Sequence, residues 1–224
     1  MSFWEEEKMK MPLLLTSLIF FLAVSAQSQT PNVSEKLEEP NLSSNSSVSR
    51  IIPQVSILES NFTGTDIQFD SKMGFSLGVA ADIGDRNIVA ESGVLYRQLG
   101  TQTNQFGQNL VLNLGYIGLP LMGKIYTSAA KHSSAAYFKA GIIPEILIYK
   151  NITGSTSGGD FPVNSLDLEM AAGVGGRFPF SKNNDLILEA TLNRGLTNVG
   201  ASSSGGADVF NAALLITAGI GIDL

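Results

Sequence analysis

The sequence predicts an all-β fold, an eight-stranded antiparallel up-and-down β-barrel formed by residues 51–224. Apolar residues recur at every second position in several stretches, as in Val209–Leu224 (VFNAALLITAGIGIDL). This is the period of a strand with one apolar face. The chain has 23 glycines and only 15% charged residues, which is typical of all-β proteins. No segment shows a convincing 3.6-residue apolar period, so no helix is predicted in this region.

The composition excludes several functional classes. The formal net charge of −6 does not indicate nucleic-acid binding. The chain contains no cysteine, which excludes a disulfide framework, thiol chemistry and cysteine-ligated metals.

The N-terminal part predicts an exported protein. Lys8 and Lys10 precede a short apolar core, Leu13–Val24, and the Val24-Ser25-Ala26 sequence is a suitable cleavage site. The core is too short for a transmembrane helix, which needs about 20 apolar residues. Residues 1–26 are therefore predicted to be a removed signal peptide, residues 27–50 a disordered periplasmic leader, and residues 51–224 the barrel domain.

The barrel strands are predicted between turn-rich segments, and long and short connections alternate. Alternate connections of an antiparallel meander lie at the same end, so one end is expected to carry long loops and both termini to lie at the other. The predicted long loops are 59–72, 100–109, 150–164 and 197–208, and the predicted short turns are 84–87, 127–134 and 179–184. The predicted strands are Ile51–Leu58, Met73–Ile83, Ile88–Leu99, Leu110–Tyr126, Ala135–Tyr149, Ser165–Phe178, Asp185–Leu196 and Val209–Leu224.

The two faces of each strand predict a transmembrane barrel with lipid outside. In the sixth strand, apolar residues such as Leu168 and Met170 alternate with Asp167, Glu169 and Arg177. The polar phase of the strands is poor in long charged residues and rich in small ones, which suits a narrow interior better than a water-facing surface. The apolar phase is therefore predicted to face the bilayer.

The inward phase contains charges of both signs, and buried charges must be paired. Strand direction sorts them into two layers of salt-bridged side chains that are predicted to fill the lumen. The layer towards the short turns contains Asp82, Glu91, Lys124, Lys139, Arg177, Asp185 and Glu189, and the layer towards the long loops contains Arg97, Glu145, Asp167 and Glu169.

The fourth predicted strand changes phase. Leu110, Leu112 and Leu114 share one phase, whereas Ile117 and Leu121 share the other. A bulge near Gly115 is predicted to bring all of them to the same face. Pro120, which falls on the inward phase, supports local irregularity because it has no N–H to donate.

Four segments carry a likeness to a known family, namely SGVLYRQLG (Ser92–Gly100), YIGLPLMGKIY (Tyr116–Tyr126), AYFKAGIIPEIL (Ala136–Leu147) and LNRGLTNV (Leu192–Val199). They resemble the PorT-like family of outer-membrane β-barrels, and the likeness covers roughly residue 51 to the C-terminus. The family pattern has an acidic residue two positions before a proline and a lysine four positions after it. Pro120 and Lys124 match, but Gly118 stands at the acidic position, so Lys124 must use another partner.

The resemblance implies a location rather than a reaction. It implies an integral barrel of the bacterial outer membrane with periplasmic termini and, for some members, a link to protein secretion. The alternate apolar residues Ile220, Ile222 and Leu224 resemble the signal that barrel-insertion machinery reads. Family strands usually end with an aromatic residue, where this chain has Leu224.

The expected function is non-enzymatic, a structural or interaction role in the envelope. No catalytic, cofactor or metal site is predicted: His132 lies in a predicted short turn, and Asp167 and Glu169 are interpreted as lumen structure beside Arg97 rather than as an acid–base pair. The expected partners are outer-membrane lipid, barrel-insertion machinery and an envelope or secretion-system protein, with no nucleic acid. Two alternatives are a narrow channel and a soluble periplasmic barrel that holds an apolar ligand.

Overall fold

The computed structural model describes residues 48–64, 69–84, 87–105, 108–128, 133–154, 163–200 and 208–224. The predicted signal peptide and residues 27–47 of the predicted leader lie outside the described residues, as does His132. No helix long and apolar enough to cross a membrane occurs in the described segments. The strands are β1 (Val48–Thr63), β2 (Asp70–Gly84), β3 (Ile88–Gln105), β4 (Gln108–Gly118), β5 (Leu121–Tyr126), β6 (Ala135–Thr153), β7 (Leu166–Pro179), β8 (Asn184–Gly195) and β9 (Phe210–Asp223).

The strands form one antiparallel sheet that closes on itself. Strands that are neighbours in the chain pair with each other, except for β4 and β5, and β1 pairs with β9 through a register that includes Ile51↔Ile222 and Thr63↔Phe210. Strands β4 and β5 follow one another between β3 and β6, so they share one of the eight positions in the ring. The predicted all-β, up-and-down eight-stranded architecture is confirmed. Closure leaves neither β1 nor β9 as a free edge.

The apolar phase of the strands faces outwards. Side chains such as Ile57 (60% exposed), Ile125 (60%) and Leu166 (67%) point away from the barrel. The intervening polar residues point inwards and are buried, as for Ser56 at 5% exposure. A barrel whose outer wall is apolar is matched to lipid as a solvent rather than to water.

The fourth predicted strand differs from expectation in two ways. It is interrupted at Leu119 and Pro120, which lie outside β4 and β5. The pairing with β6 does shift beside Gly115, but the unmatched residue is Ile148 of β6, because Gly115 pairs with Tyr149 and Tyr116 with Leu147. The phase of β4 therefore continues unchanged into β5.

As a consequence, the prediction that the leucines of β4 share the outer face with Ile117 is wrong. Leu112 (2% exposed) and Leu114 (0%) face the lumen, whereas Ile117 faces outwards. Both leucines pack in an apolar cluster inside the barrel, so burial against other lumen side chains replaces contact with lipid.

The connections alternate less strictly than predicted. Strands β3 and β4 continue through the predicted long loop 100–109, and Gln105 pairs with Gln108 across the hairpin. Likewise, β1 extends to Thr63 and β2 begins at Asp70, both within the predicted loop 59–72. The ends of β3 and β4 pair with each other, whereas the end of β1 pairs with β9 and the start of β2 pairs with β3. Paired strand therefore replaces much of each predicted loop.

Candidate functional site

The lumen contains the buried charges, because the inward phase of each strand aims its side chains at the barrel axis. Arg97 is supplied by β3, Lys124 by β5, Glu145 by β6 and Glu169 by β7. Each of these four side chains is at most 1% exposed. The arrangement is therefore a set of ion pairs that is sealed from bulk solvent.

The loop-side cluster comprises Arg97, Glu145, Asp167 and Glu169. The guanidinium Nη1 of Arg97 donates to Glu145 Oε1 and to Glu169 Oε2, both at 2.6 Å. Asn193 Nδ2 also donates to Glu169 Oε2, at 2.9 Å. One arginine thus bridges two carboxylates from different strands.

Asp167 is held by neutral partners. Its carboxylate accepts hydrogen bonds from Thr197 Oγ1 and Asn211 Nδ2, both at 2.6 Å. The loop-side cluster accordingly contains three carboxylates and a single guanidinium.

The turn-side cluster comprises Asp82, Glu91, Lys124, Lys139 and Glu189. Lys124 Nζ lies 3.0 Å from Asp82 Oδ1 and also contacts Glu91. Lys139 pairs with Glu189 and lies 3.6 Å from Glu91 Oε1. Glu91 therefore links the two lysines.

Tyr137 contacts two members of the turn-side cluster. Its hydroxyl donates to Glu189, and its ring centroid lies 5.2 Å from Lys124 Nζ. This combination of a hydrogen bond and a cation–π contact fixes the position of the lysine relative to the acids.

A third group, the end cluster, closes the short-turn end of the lumen. Arg50 Nη2 lies 2.8 Å from Asp185 Oδ2 and 2.7 Å from Asp223 Oδ1. Nearby, Arg177 lies over the ring of Tyr126, 5.3 Å from its centroid, and donates to the carbonyl of Ser133. Sequence reasoning assigned Asp185 and Arg177 to this half of the barrel but missed Arg50 and Asp223. The signal for Arg50 was present, because it shares the phase of Ile52, Gln54 and Ser56.

Apolar layers separate and cap the charged clusters. Met122, Ile143 and Ala171 form a buried layer in the lumen. A larger cluster, here called the apolar plug, comprises Leu58, Phe62, Phe69, Leu99, Leu112, Leu114, Tyr116, Val199, Val209, Ala213 and Leu215. The prediction of two polar layers filling the lumen did not include this apolar material.

A small cavity remains between the two main clusters. It has a volume of about 30 Å³, and its lining includes Arg97, Thr191 and Asn193. A volume of this size holds about two water molecules. Each of these three residues has a buried polar atom without a hydrogen-bond partner among the described residues, so the wall offers both donors and acceptors to water.

The loop-side carboxylates resemble a metal-binding set in spacing alone. Ligand oxygens of Glu145, Asp167 and Glu169 all lie within 4.8 Å of one another. Arg97, however, already donates to two of these residues, and Thr197 and Asn211 bind the third. The set is therefore accounted for as an ion-pair network.

Gly118 stands where the PorT-like pattern, predicted from the sequence, has an acidic residue. Gly118 pairs with Glu145 across the β4–β6 ladder, and a Cβ at position 118 would lie 2.7 Å from Glu145 Oε1. The carboxylate of Glu145 thus occupies the space beside Gly118 from the opposite strand. Lys124 finds its partners in Asp82 and Glu91 instead.

A closed antiparallel ring with an apolar outer wall and a charged interior defines the class of small β-barrels that lie in a lipid bilayer. The sequence profile of the outer membrane protein beta-barrel domain matches residues 28–200. The chain belongs to this family of outer-membrane β-barrel domains. The narrower PorT-like assignment remains a prediction.

Among the solved structures compared, that of OprG supports the same fold. The structure of OprG from Pseudomonas aeruginosa matches with a TM-score of 0.51 and 10% identity, over 79% of this chain and 96% of OprG. Neisserial surface protein A matches with a TM-score of 0.47 and 13% identity, over 78% of this chain and 97% of the other. The outer membrane protease OmpT from Escherichia coli matches at 0.42 and 8% identity, over 80% and 97%. A search of curated protein sequences found no match.

Proposed function

We propose that this protein is a non-enzymatic integral outer-membrane barrel with a sealed lumen, which acts through its surfaces as a structural or interaction element of the envelope. The observation that carries the proposal is the bridging of Glu145 and Glu169 by a fully buried Arg97. This network and the apolar plug fill the space that a channel or a lumenal active site would need.

The chemistry of the lumen supports a non-enzymatic role. Catalysis by paired carboxylates requires one of them to meet substrate. Glu169 is fully buried and bound to Arg97 and Asn193, and Asp167 is bound to Thr197 and Asn211. Both carboxylates therefore act in holding strands together.

Two alternatives are less well supported. A narrow channel would need a continuous aqueous path, but the cavity beside Arg97 has room for only about two waters. A soluble ligand-binding barrel would bury its apolar phase, whereas side chains such as Ile57 and Leu166 are exposed on the outer wall.

The assembly and orientation of the barrel follow from the same proposal. Ile220 and Ile222 on the outside of β9, with Leu224 directly after the strand, form an alternating apolar row. This is the pattern that we propose barrel-insertion machinery recognises. Both termini would be periplasmic, with the 154–165 and 196–209 connections on the outer side of the membrane. The resemblance to the PorT-like family adds protein secretion as the process in which an envelope partner is expected.

Planar-bilayer recording tests the sealed lumen. The purified barrel should give no steady conductance at protein concentrations at which a general porin inserts and conducts. Steady, stepwise conductance would contradict the sealed lumen and support the channel alternative.

A deletion strain tests the envelope role. Loss of the gene should impair protein secretion or envelope integrity, and the wild-type chain should restore it. A second complementing variant would replace residues 155–162 with a Gly/Ser segment of equal length. If this variant inserts normally but does not restore the phenotype, the interaction is made by the long-loop end. A deletion strain with normal secretion and an intact envelope would contradict the proposed role.

A further inference from the structure

The loop-side cluster contains more negative than positive charge in a space closed to solvent. Glu145, Asp167 and Glu169 are at most 3% exposed, and one carboxylate oxygen of each lies within 4.8 Å of those of the other two. Arg97 supplies a single positive charge to this group. Carboxylates this close together inside a protein repel one another, so three of them beside one cation favour the loss of a negative charge.

Among the described side chains, the turn-side cluster has no positive charge to spare for these acids. Its two lysines already face three carboxylates, because Lys124 contacts Asp82 and Glu91, and Lys139 pairs with Glu189. Lys139 and Glu189 together line the cavity that separates this cluster from Arg97. The turn-side charges therefore do not offset the excess in the loop-side cluster.

Glu145 faces titratable groups on three other strands. Arg97 comes from β3, and Asp167 and Glu169 come from β7. Tyr116 of β4, which is 0% exposed, also interacts electrostatically with Glu145. A phenol is neutral near neutral pH, so Tyr116 adds no charge. Of these facing groups, Arg97 alone is a cation.

The hydrogen bonds show which of the three acids is least supported as an anion. Asp167 and Glu169 each accept two side-chain hydrogen bonds. Glu145 accepts one, from Arg97 to Oε1, and its Oε2 is buried without a hydrogen-bond partner among the described residues. Glu169 Oε1 also has no such partner, but the two donors at Oε2 stabilise its ionised form. A buried carboxylate with little support binds a proton instead, and Glu145 is the acid in this position.

We propose that Glu145 is a proton-binding site, with its carboxyl group protonated at Oε2 in the folded barrel at neutral pH while Asp167 and Glu169 are ionised. The proton comes from water as the barrel folds and returns to water when the barrel unfolds. Arg97 then has one ionised partner, Glu169, and Oε1 of the neutral Glu145 still accepts its hydrogen bond. The proposal goes beyond the envelope role and is independent of it, because it concerns only the folded lumen.

A proton held in the lumen makes the stability of the barrel depend on pH. A glutamate of the unfolded chain ionises near its ordinary value, about pH 4.3. Unfolding at neutral pH therefore releases the proton of Glu145, and the free energy of unfolding falls as the pH rises. For one released proton, the unfolding equilibrium constant should rise by up to about tenfold per pH unit, until the folded barrel also loses the proton.

Urea unfolding in phospholipid vesicles tests this dependence, with heat-modifiable gel mobility measured from about pH 6 to about pH 8, where an exposed glutamate is ionised. His132, the single histidine of the chain, titrates in the same range and is replaced by glutamine throughout. Glu145→Gln supplies a neutral side chain of the same shape. It should remove the pH dependence and be at least as stable as its parent at the upper end of the range.

Glu189→Gln is the matched control, because Glu189 is also buried but pairs with Lys139 and accepts a hydrogen bond from Tyr137. It should be less stable than its parent at every pH and should keep the pH dependence of the parent. A Glu145→Gln variant that keeps the pH dependence, or that loses as much stability as Glu189→Gln, would overturn the proposal.

Infrared spectroscopy detects the proton directly and does not depend on the folding of a variant. The C=O stretch of a protonated carboxyl group is separate from the bands of a carboxylate. The folded barrel at neutral pH should show this band, isotope-labelled glutamate should shift it, and alkali should remove it. It should be missing from folded Glu145→Gln. A barrel without the band, or a band that shifts with labelled aspartate instead, would contradict a proton on Glu145.

A bound metal cation is the other means of offsetting the charge of these acids, and the same measurements distinguish it. With a proton on Glu145, EDTA should leave the stability of the wild-type barrel unchanged and the carboxyl band present. Stability that falls with EDTA and returns with Ca²⁺ or Mg²⁺, together with no carboxyl band at neutral pH, would replace the proton by a cation and refute the proposal.

Discussion

Arg97 carries a full charge where no side-chain atom reaches solvent. Removing such a charge from water costs several kcal/mol, and the cost is recovered only through close partners. Glu145 and Glu169 provide them at 2.6 Å each. A paired buried charge contributes little net stability, but an unpaired one is strongly destabilising. Arg97 therefore favours the one arrangement of β3, β6 and β7 in which both carboxylates lie beside its guanidinium.

Arg97→Ala should destabilise the barrel by about 3–5 kcal/mol, because it leaves two buried carboxylates without their cation. The free energy of unfolding in urea, measured in phospholipid vesicles by heat-modifiable gel mobility, checks this. Met170→Ala, which shortens an outward side chain that is 51% exposed, is the control and should have a much smaller effect.

A triple variant distinguishes charge from packing. Arg97→Met combined with Glu145→Gln and Glu169→Gln removes the charges but keeps an amide oxygen for Asn193. It should recover most of the stability lost in Arg97→Ala. A triple variant less stable than Arg97→Ala would show that the volume of the arginine, rather than its charge, matters.

Gly118 and Glu145 should be energetically coupled, because a Cβ at position 118 would lie 2.7 Å from Glu145 Oε1. Gly118→Ala should cost about 1–3 kcal/mol of unfolding free energy through overpacking. Gly123→Ala is the matched control, since the nearest heavy atom to its Cβ would be Ala140 O at 3.9 Å. The double variant Gly118→Glu with Glu145→Ala offers Arg97 an acid from the other strand and should be more stable than either single variant. Strictly additive effects would contradict the coupling.

At the level of the strands, periodicity predicted which segments pair but not how far they extend. The outer apolar rows of β1 and β3 end before the strands do, because polar residues such as Glu59 and Gln102 continue the outward phase and the ladder. Ser60 Oγ donates to the carbonyl of Gly100 at 2.8 Å, which supports this extension. Hydropathy does not report such polar pairing, so the predicted loops 59–72 and 100–109 were too long.

The fourth predicted strand shows a second limit. Leu112 and Leu114 have the same parity as Lys124, so counting from the lysine alone would have predicted that they face inwards. The apolar character of these leucines suggested a lipid-facing position instead. This barrel has apolar side chains both on its lipid-facing wall and inside its lumen, so hydrophobicity alone does not show which way a residue faces. An inward-facing charge on the same strand does, because residues an even number of positions away from it share its face.

The end of β9 tests how the barrel assembles. Deletion of Ile222–Leu224 removes pairs to Ile51 and Asn184 together with two outward apolar residues, and should prevent insertion while export continues. The truncated chain should accumulate in the periplasm without a heat-modifiable form.

Asp223→Asn is the control for this truncation. It weakens the contact with Arg50 but keeps Ile222 and Leu224, so it should insert with a modest loss of stability. Insertion of the truncated chain at the wild-type level would contradict an assembly role for these residues.

For the whole molecule, the sequence could predict the ring, its inside-out polarity and the half of the barrel that each charge occupies. The ion-pair partner of each charge could not be predicted. The pairing of Arg97 with both Glu145 and Glu169, for example, depends on strand register and on contacts between strands that are distant in the chain. The apolar plug was also missed, since Leu58, Leu99 and Leu215 share a phase with polar residues in their own strands. Its members meet only when the ring closes.

The orientation of the barrel is the remaining whole-molecule prediction, and the absence of cysteine makes it accessible to labelling. Asn151 is exposed near the long-loop end of β6, and Ser181 is exposed in the short connection between β7 and β8. Asn151→Cys should react with a membrane-impermeant maleimide in intact cells. Ser181→Cys should react only after the outer membrane is permeabilised, because periplasmic termini require the short turns to be on the same side. Labelling of Ser181→Cys but not Asn151→Cys in intact cells would mean that the barrel is inserted in the opposite direction, with the loop-side cluster towards the periplasm.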